Sequence, residues 1–314
     1  MKNKVLITDK VNEILPKRLK KAGYEVFYDT SYDNEKVDWV IEDFVGIIIN
    51  SKIIMDKERI TRGKNLKFIG RLGSGLEIID TDFARKKRIN VYNSPEGTRN
   101  AVAEHEMGML LSLLNNIVIS DSEVRNKTWD REKNRGKEIK GKTIGIIGFG
   151  HTGSEFARKL LNWGVNLVSF DKYRKRYPSE FRSISKVSLE ELLNVSDIIS
   201  IHLPLTKETV QMIDSNFLSK CKRGVIISNT SRGNIIDTNA LLDGLESGIV
   251  SGACLDVFEN EKNQNFTKDE DMMYQKLYSL PNVVLTPHIA GWTHESLNLI
   301  DEVLLDKIIR GKYV

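Results

Sequence analysis

The sequence predicts an α/β protein built from two doubly wound parallel-sheet units of unequal size. Three observations carry this expectation. Short apolar runs alternate with helix-patterned segments over residues 1–98. The alternation stops at a helical stretch, 100–126, and restarts at residue 143. Each apolar run is short enough for a strand and is followed by a helical pattern, the signature of βαβ units.

In the first unit, "KVLIT" precedes the helical "VNEILPKRLKKAG", which Gly23 should close as a C-terminal stop. "YEVFY", the helical "NEKVDWVIEDF" and "VGIII" follow. "LKFIG" and "INVY" continue the strands, with helical "DTDFARKKR" between them. Across 100–126, Met107, Leu110, Leu111 and Leu114 fall on one helix face. This segment reads as a connector between the units, or as an arm that packs on a second subunit. In the second unit "TIGIIGFG" is a buried strand and "SEFARKLLNWG" a helix ending at Gly164. Ser188 and Glu191 have capping-box spacing. "NLVSF", "DIISIHL", "GVIISN", "SGACLDVF" and "NVVLT" are the remaining strands, and 293–310 is the last helix, with Leu297, Ile300, Leu304 and Ile308 on one face.

Composition narrows the class. Hydrophobic residues are 40% and charged residues 29%, values of a folded globular chain. The 47 basic and 43 acidic side chains leave a net charge of only +4, too even for a nucleic-acid partner. Cys221 and Cys254 lack metal-ligand spacing and make no disulfide framework; no metal site is expected. "MKNKVLITDK" has no signal-peptide pattern, and no apolar run reaches the roughly 18 residues of a membrane span. The expected compartment is the cytoplasm.

The most specific local signal is "IGIIGFGHTGSEFA", where Gly148, Gly150 and Gly153 form G-x-G-x-x-G between a strand and a helix. The first glycine permits the turn, the second lets the backbone approach a pyrophosphate, and the third lets helix and strand pack. Asp171 closes the next strand, where a carboxylate meets a ribose 2′-hydroxyl and repels a 2′-phosphate. NAD is therefore expected over NADP, although Arg174 and Arg176 stand nearby.

Taken in order, "GFGHTG" (148–153), "IHLPLTKET" (201–209), "NTSRGNIID" (229–237), "LDVFENE" (255–261) and "PHIAG" (287–291) resemble the D-isomer-specific 2-hydroxyacid dehydrogenases. The resemblance covers nearly the whole chain. It implies a flavodoxin-like substrate domain from residues 1–98 plus 293–314 and a Rossmann NAD-binding domain from 99–292. Within the family, "IGRLGSGLEIID" (69–80) and "NSPEGTRNAVAEH" (93–105) look most like D-3-phosphoglycerate dehydrogenases. The chain ends shortly after His288, so the short form without a C-terminal regulatory domain is expected.

The resemblance also assigns roles. His288 is the acid/base, a residue type that titrates near neutral pH. Glu261 is its carboxylate partner, placed 29 residues after Arg232 as in the family, which leaves Glu259 structural. Arg232 grips the substrate carboxylate with its planar fork of donors. Asp256 holds the nicotinamide carboxamide, and the backbone of Ala290 and Gly291 lies near that ring. His151 and Thr152 offer backbone to the pyrophosphate. His202, Leu203, Pro204, Thr209, Thr230 and Ser231 occupy motif positions beside the cofactor. Gly73, Ser74 and Gly75 form an anion nest for the substrate. His294 and His105 are not expected to act in catalysis.

Two positions and one segment length depart from the family pattern. Asn50 stands where phosphoglycerate enzymes commonly carry arginine, with Lys52 and Arg71 as possible substitutes. Lys262 replaces the proline that commonly follows the catalytic glutamate. The segment from Glu261 to His288 is also longer than usual.

The expected activity is NAD-dependent oxidation of D-3-phosphoglycerate in serine synthesis. A glyoxylate, hydroxypyruvate or D-lactate-type reductase is the alternative, and an NAD-sensing corepressor the alternative of another class. A homodimer through 101–140 is implied.

Overall fold

The structure, a computed structural model, describes residues 3–261 and 266–311. Residue 262 lies outside the described residues, and with it the departure at Lys262. The described chain separates into two compact units, one of residues through Arg99 together with those from Trp292 onward, the other Asn100–Gly291.

In the first unit the order is β1 (Lys4–Ile7), α1 (Ile14–Lys21), β2 (Glu25–Tyr28), α2 (Asn34–Val40), β3 (Gly46–Ile49), α3 (Lys57–Arg62), β4 (Phe68–Arg71), α4 (Thr81–Lys86) and β5 (Asn90–Asn93). The strands form a parallel sheet in the order β2-β1-β3-β4-β5. Side chains alternate across it, as the period of two demands. Val5, Ile7, Ile48 and Phe68 pack on one face with Leu15 and Leu19 of α1. Leu6, Ile47, Ile49 and Ile69 pack on the other with Val37, Ile60 and Ala84. Because β1 is flanked by β2 and β3, the strand order reverses at β1/β3, the position where such sheets open a crevice beyond their carboxyl ends.

Helix α5 (Pro95–Leu114) then begins earlier than the sequence pattern indicates, with proline at its first position. The expected single helix over 100–126 is broken. Asn116 takes a left-handed conformation (φ 53°) and α6 (Ile117–Arg125) follows. The periodic stripe of α5 stops at Leu114, and α6 buries none of its side chains.

The second unit continues with β6 (Thr143–Ile147), α7 (His151–Leu160), β7 (Asn166–Phe170), β8 (Ser185–Lys186), α8 (Leu189–Val195), β9 (Ile198–Ile201), α9 (Ser215–Ser219), β10 (Val225–Asn229), α10 (Thr238–Ser247), β11 (Val250–Leu255), α11 (Lys268–Ser279) and β12 (Val283–Leu285). Helix α12 (His294–Gly311) returns to the first unit, where Ile300, Leu304, Leu305 and Ile308 join the β1-β3-β4 face. Leu297, expected on that buried stripe, is instead exposed.

The second sheet is parallel, in the order β12-β11-β10-β9-β6-β7-β8, and reverses at β6/β9. One face packs Ile144, Ile146 and Ile198 against Leu110 of α5 and Phe156 of α7. The other packs Ile199, Ile227 and Leu255 against α8 to α11. Only half of the expected box at α8 forms: the Ser188 hydroxyl accepts from the Glu191 amide. The reciprocal box lies at α11, between Thr267 and Glu270. Among the described residues, no helix is long and apolar enough to cross a membrane, and no group of three or more His, Cys, Asp or Glu could hold a metal.

Candidate active site

The glycine loop leaves β6 at the reversal of the second sheet. Gly148 has φ +90°, and a Cβ there would lie 2.3 Å from the His202 carbonyl oxygen, so backbone packs where any side chain would stand. Gly153 is pressed against the Gly148 carbonyl in the same way. A Cβ on Gly150 would instead meet nothing within 4 Å. Gly150 is also the N-cap of α7, and no side chain caps that helix. Open space, a bare helix start and close backbone together make a cradle for a diphosphate. His151 and Thr152 begin α7 itself.

Asp171 follows β7 and braces this loop. Its Oδ2 accepts from the Phe149 amide at 2.8 Å, and its Oδ1 from the Tyr173 and Arg174 amides at 2.9 and 2.7 Å. Burial alone would raise its pKa, yet these backbone donors, with Lys186 nearby, hold it below the ordinary aspartate value. A carboxylate has about four lone-pair directions, so a ribose hydroxyl can still be accepted. Arg174 is turned to the Phe149 carbonyl at 2.5 Å. The fit to a dinucleotide is therefore good at both the pyrophosphate and the ribose positions.

The 286–291 loop carries the acid/base candidate. His288 has φ 56°, left-handed for a residue with a Cβ. Its amide donates to the Asp256 carbonyl at 2.8 Å. The Asp256 carboxylate, fully buried after β11, accepts from the Thr286 hydroxyl (2.6 Å) and from the amides of Ile289 and Ala290 (both 2.9 Å). The structure thus uses Asp256 as the staple of the His288 loop. Its oxygens face backbone donors because the loop's left-handed turn points successive amides at them. His105 backs the staple, with Nε2 3.0 Å from the Thr286 hydroxyl.

His288 Nδ1 lies 2.6 Å from Glu261 Oε1. The histidine side chain is 45% exposed, which leaves the ring accessible. Glu261 and Arg232 line one recess of about 460 Å³ with Leu205, Asn234 and Phe258. Arg232 follows β10 in extended backbone and its Nη1 donates to the Ser231 carbonyl at 2.6 Å. Glu259 accepts from the Thr238 amide at 3.1 Å, at the start of α10, a structural use. The structure therefore brings Arg232, Glu261 and His288 together through Glu261.

The other motif residues frame this end of the sheet. Leu203 packs on Gly148, and the Thr209 hydroxyl donates to the Pro204 carbonyl at 2.6 Å, closing that loop. Thr230 and Ser231 turn their hydroxyls to Glu106 and Asn229. Ala290 is buried and Gly291 is the last residue of the second unit.

In the first unit the substrate candidates gather beyond β3 and β4. The Asn50 amide donates to Asp9 Oδ2 at 2.9 Å, across the β1/β3 reversal. Lys52 Nζ donates to the Thr30 carbonyl at 2.7 Å, and Arg71 to the Leu72 carbonyl. In the expected nest, the Gly73 amide donates to Ser94 Oγ at 3.0 Å. Ser74 Oγ pairs with Thr98 Oγ1 at 2.9 Å. The resemblance did not single out Asp9, Ser94, Thr286 or Glu106. Asp9 had a legible signal, an acid directly after the first strand; the others depend on three-dimensional neighbours.

Residues 107–290 match the model of the D-isomer-specific 2-hydroxyacid dehydrogenase NAD-binding domain. The chain belongs to the D-isomer-specific 2-hydroxyacid dehydrogenases. This is a family of NAD-dependent oxidoreductases, and the cofactor of its nucleotide-binding domain is NAD. A D-3-phosphoglycerate dehydrogenase of Archaeoglobus fulgidus is 34% identical over 306 residues, 98% of this chain but 56% of that protein. The chain thus spans little more than half the length of that relative. A hydroxypyruvate reductase of Thermotoga maritima is 37% identical over 271 residues, 86% of each chain. Among solved structures, the Aquifex aeolicus D-lactate dehydrogenase complexed with NAD and lactic acid superposes with a TM-score of 0.84 at 30% identity, covering 99% of this chain and 96% of that one.

Proposed function

We propose that this protein is an NAD-dependent D-2-hydroxyacid dehydrogenase whose substrate is D-3-phosphoglycerate. The observation that carries the chemistry is the His288–Glu261 contact at 2.6 Å, beside the recess that Arg232 lines. Glu261 holds the proton on Nδ1, which leaves Nε2 to take the proton of the C2 hydroxyl in oxidation and return it in reduction. The carboxylate then stabilises the imidazolium so formed. Arg232 binds the substrate carboxylate and orients C2. When bound, the nicotinamide would be the acceptor for the hydride from C2. Gly148, Gly150, Gly153 and the start of α7 would hold its pyrophosphate, and Asp171 its adenosine ribose, which favours NAD over NADP.

The unit containing β1–β5 and α12 would serve the substrate, with Ser74, Gly75, Arg71, Lys52 and Asn50 as its polar groups. Support for the phosphorylated substrate comes from the relatives named phosphoglycerate dehydrogenase, at 34% identity in archaeal and Bacillus subtilis proteins alike. A second reading, reduction of hydroxypyruvate or glyoxylate, is favoured by the first-unit polar groups. Asn50 is neutral and sits beside Asp9, whereas a phosphate dianion calls for charge-assisted donors. The 37% identity with the hydroxypyruvate reductase points the same way.

Steady-state kinetics with NAD and NADP on a substrate panel tests this. The leading reading requires 3-phosphoglycerate to give NADH. Reduction of hydroxypyruvate or glyoxylate with no turnover of 3-phosphoglycerate would install the second reading. Loss of turnover in His288→Ala with NAD binding retained is expected under both. We also propose a homodimer through 101–140, supported by the exposed Ile117, Val118 and Val124 of α6 and the exposed Trp129. Light scattering should show a dimer that Val118→Asp weakens.

A further inference from the structure

Glu106 is fully buried on α5, and no lysine or arginine pairs with it among the described residues. Burying an isolated carboxylate is costly unless hydrogen bonds replace its water. Three hydroxyls do so. Ser200 and Ser228 each donate to Oε1 at 2.6 Å, and Thr230 to Oε2 at 3.3 Å. These residues end β9 and β10 on the side of the sheet that leads to the glycine loop.

The Ser200 oxygen also lies 2.6 Å from His202 Nε2. A serine has one proton, and here it goes to Glu106, so Nε2 must be the donor in the second contact. Glu106 Oε2, 3.5 Å from the same nitrogen, favours a proton there too. The opposite arrangement would place the proton on Nδ1, which is buried with no partner among the described residues. An orphaned buried N–H is rarer than an under-satisfied acceptor. Burial of the ring also lowers the His202 pKa, a shift only partly opposed by Glu106, so the ring stays neutral.

His202 in turn is the floor of the glycine loop. Its carbonyl closes on Gly148, its Cβ lies against Gly153, and its ring packs on Phe156 of α7, with centroids 5.5 Å apart. We infer that Glu106 is a positioning residue for the dinucleotide, acting through Ser200 to fix His202 as the Nε2–H imidazole on which the glycine loop rests. This rests on the proposed dehydrogenase reading only in that the chain binds NAD(H). Nothing in it requires Glu106 to touch the cofactor.

The test combines ring ¹⁵N NMR of histidine-labelled protein with NADH binding followed by fluorescence. Wild-type His202 should show a protonated Nε2 and an unprotonated Nδ1. In Glu106→Gln the amide can donate to Ser200, which frees the serine proton for Nε2. The ring should then shift toward the Nδ1–H tautomer. NADH Kd should rise roughly fivefold, while KM for the keto acid at saturating NADH stays within about twofold. A wild-type ring protonated at Nδ1, or at both nitrogens, overturns the inference whether or not the variant folds. So does a tautomer change in Glu106→Gln with unchanged NADH affinity. Wild-type protein that binds no NADH would instead refute the dehydrogenase reading, and the ring pattern would still decide the relay.

Discussion

Asp301 offers a stability measurement whose size follows from the structure. It lies on the buried side of α12, 4% exposed, and its Oδ2 accepts from the Asn12 amide at 2.5 Å. Asn12 opens α1: its side-chain oxygen accepts from the Ile14 amide and its Nδ2 reaches Asn298. Asp301 therefore ties the start of α1 to α12, yet no basic side chain pairs with it among the described residues. Burial pushes its pKa up from 3.8 to about 6, against the pull of the Asn12 amide.

The sign follows from proton linkage. A carboxyl with a raised folded-state pKa binds its proton more tightly in the folded protein, so its contribution is fully present below about pH 4 and is lost as pH rises through 6. Across the whole interval the loss is about 3 kcal/mol, and between about pH 4.5 and 7.5 it is about 2 kcal/mol. Asp301→Asn keeps an oxygen for the Asn12 amide and removes the charge. Urea denaturation of both proteins at matched pH values should show the variant gaining on wild type by about 2 kcal/mol over that range, with equal m values. A difference that stays constant with pH, or shrinks as pH rises, would refute the reasoning.

Other perturbations act on the site. Glu261→Gln should lower kcat by about 10²-fold or more while NADH Kd stays within about twofold, because the amide cannot stabilise an imidazolium; single-turnover kinetics with binding controls checks this. Asp256→Asn leaves one acceptor oxygen for three donors and should cost about 1–3 kcal/mol in thermal denaturation, with kcat falling alongside as the His288 loop loosens. Gly148→Ala drives a methyl into the His202 carbonyl and should weaken NADH binding at least about tenfold by fluorescence titration.

Much of the scaffold was legible because its signals are local. Strands show as short apolar runs such as "VGIII", whose β3 residues are all buried, and Gly23 follows the end of α1 with positive φ, whereas α7 ends at Leu160, before the expected stop at Gly164. The glycine loop was legible for the same reason: turn, backbone approach and helix start lie within six residues. The break at Asn116 was not, since the residues on either side keep an apolar pattern and a left-handed asparagine leaves no mark in periodicity. Leu297 kept the helix period but found no sheet beneath it.

The site divides along the same line. The resemblance pairs His288 with Glu261 because both stand in its motifs, and the 2.6 Å contact joins them. Spacing says nothing about the backbone that delivers them. His288 occupies left-handed space that a residue with a Cβ rarely adopts, a cost of order 1–3 kcal/mol that the surrounding structure must over-determine. The determinant is Asp256, whose carboxylate gathers Thr286, Ile289 and Ala290 around the turn. Its residue type and position mark a ligand contact, and only the directions of the loop amides reveal this structural use. Glu106 presents the same difficulty one layer deeper. On a helix wheel it is a single acid among Met107, Leu110 and Leu114, and its use appears only when β9 and β10 bring three hydroxyls and a histidine to it. In both places a buried acid compensated by hydrogen bonds, with no paired lysine or arginine among the described residues, fixes the geometry of a residue that the sequence had already marked.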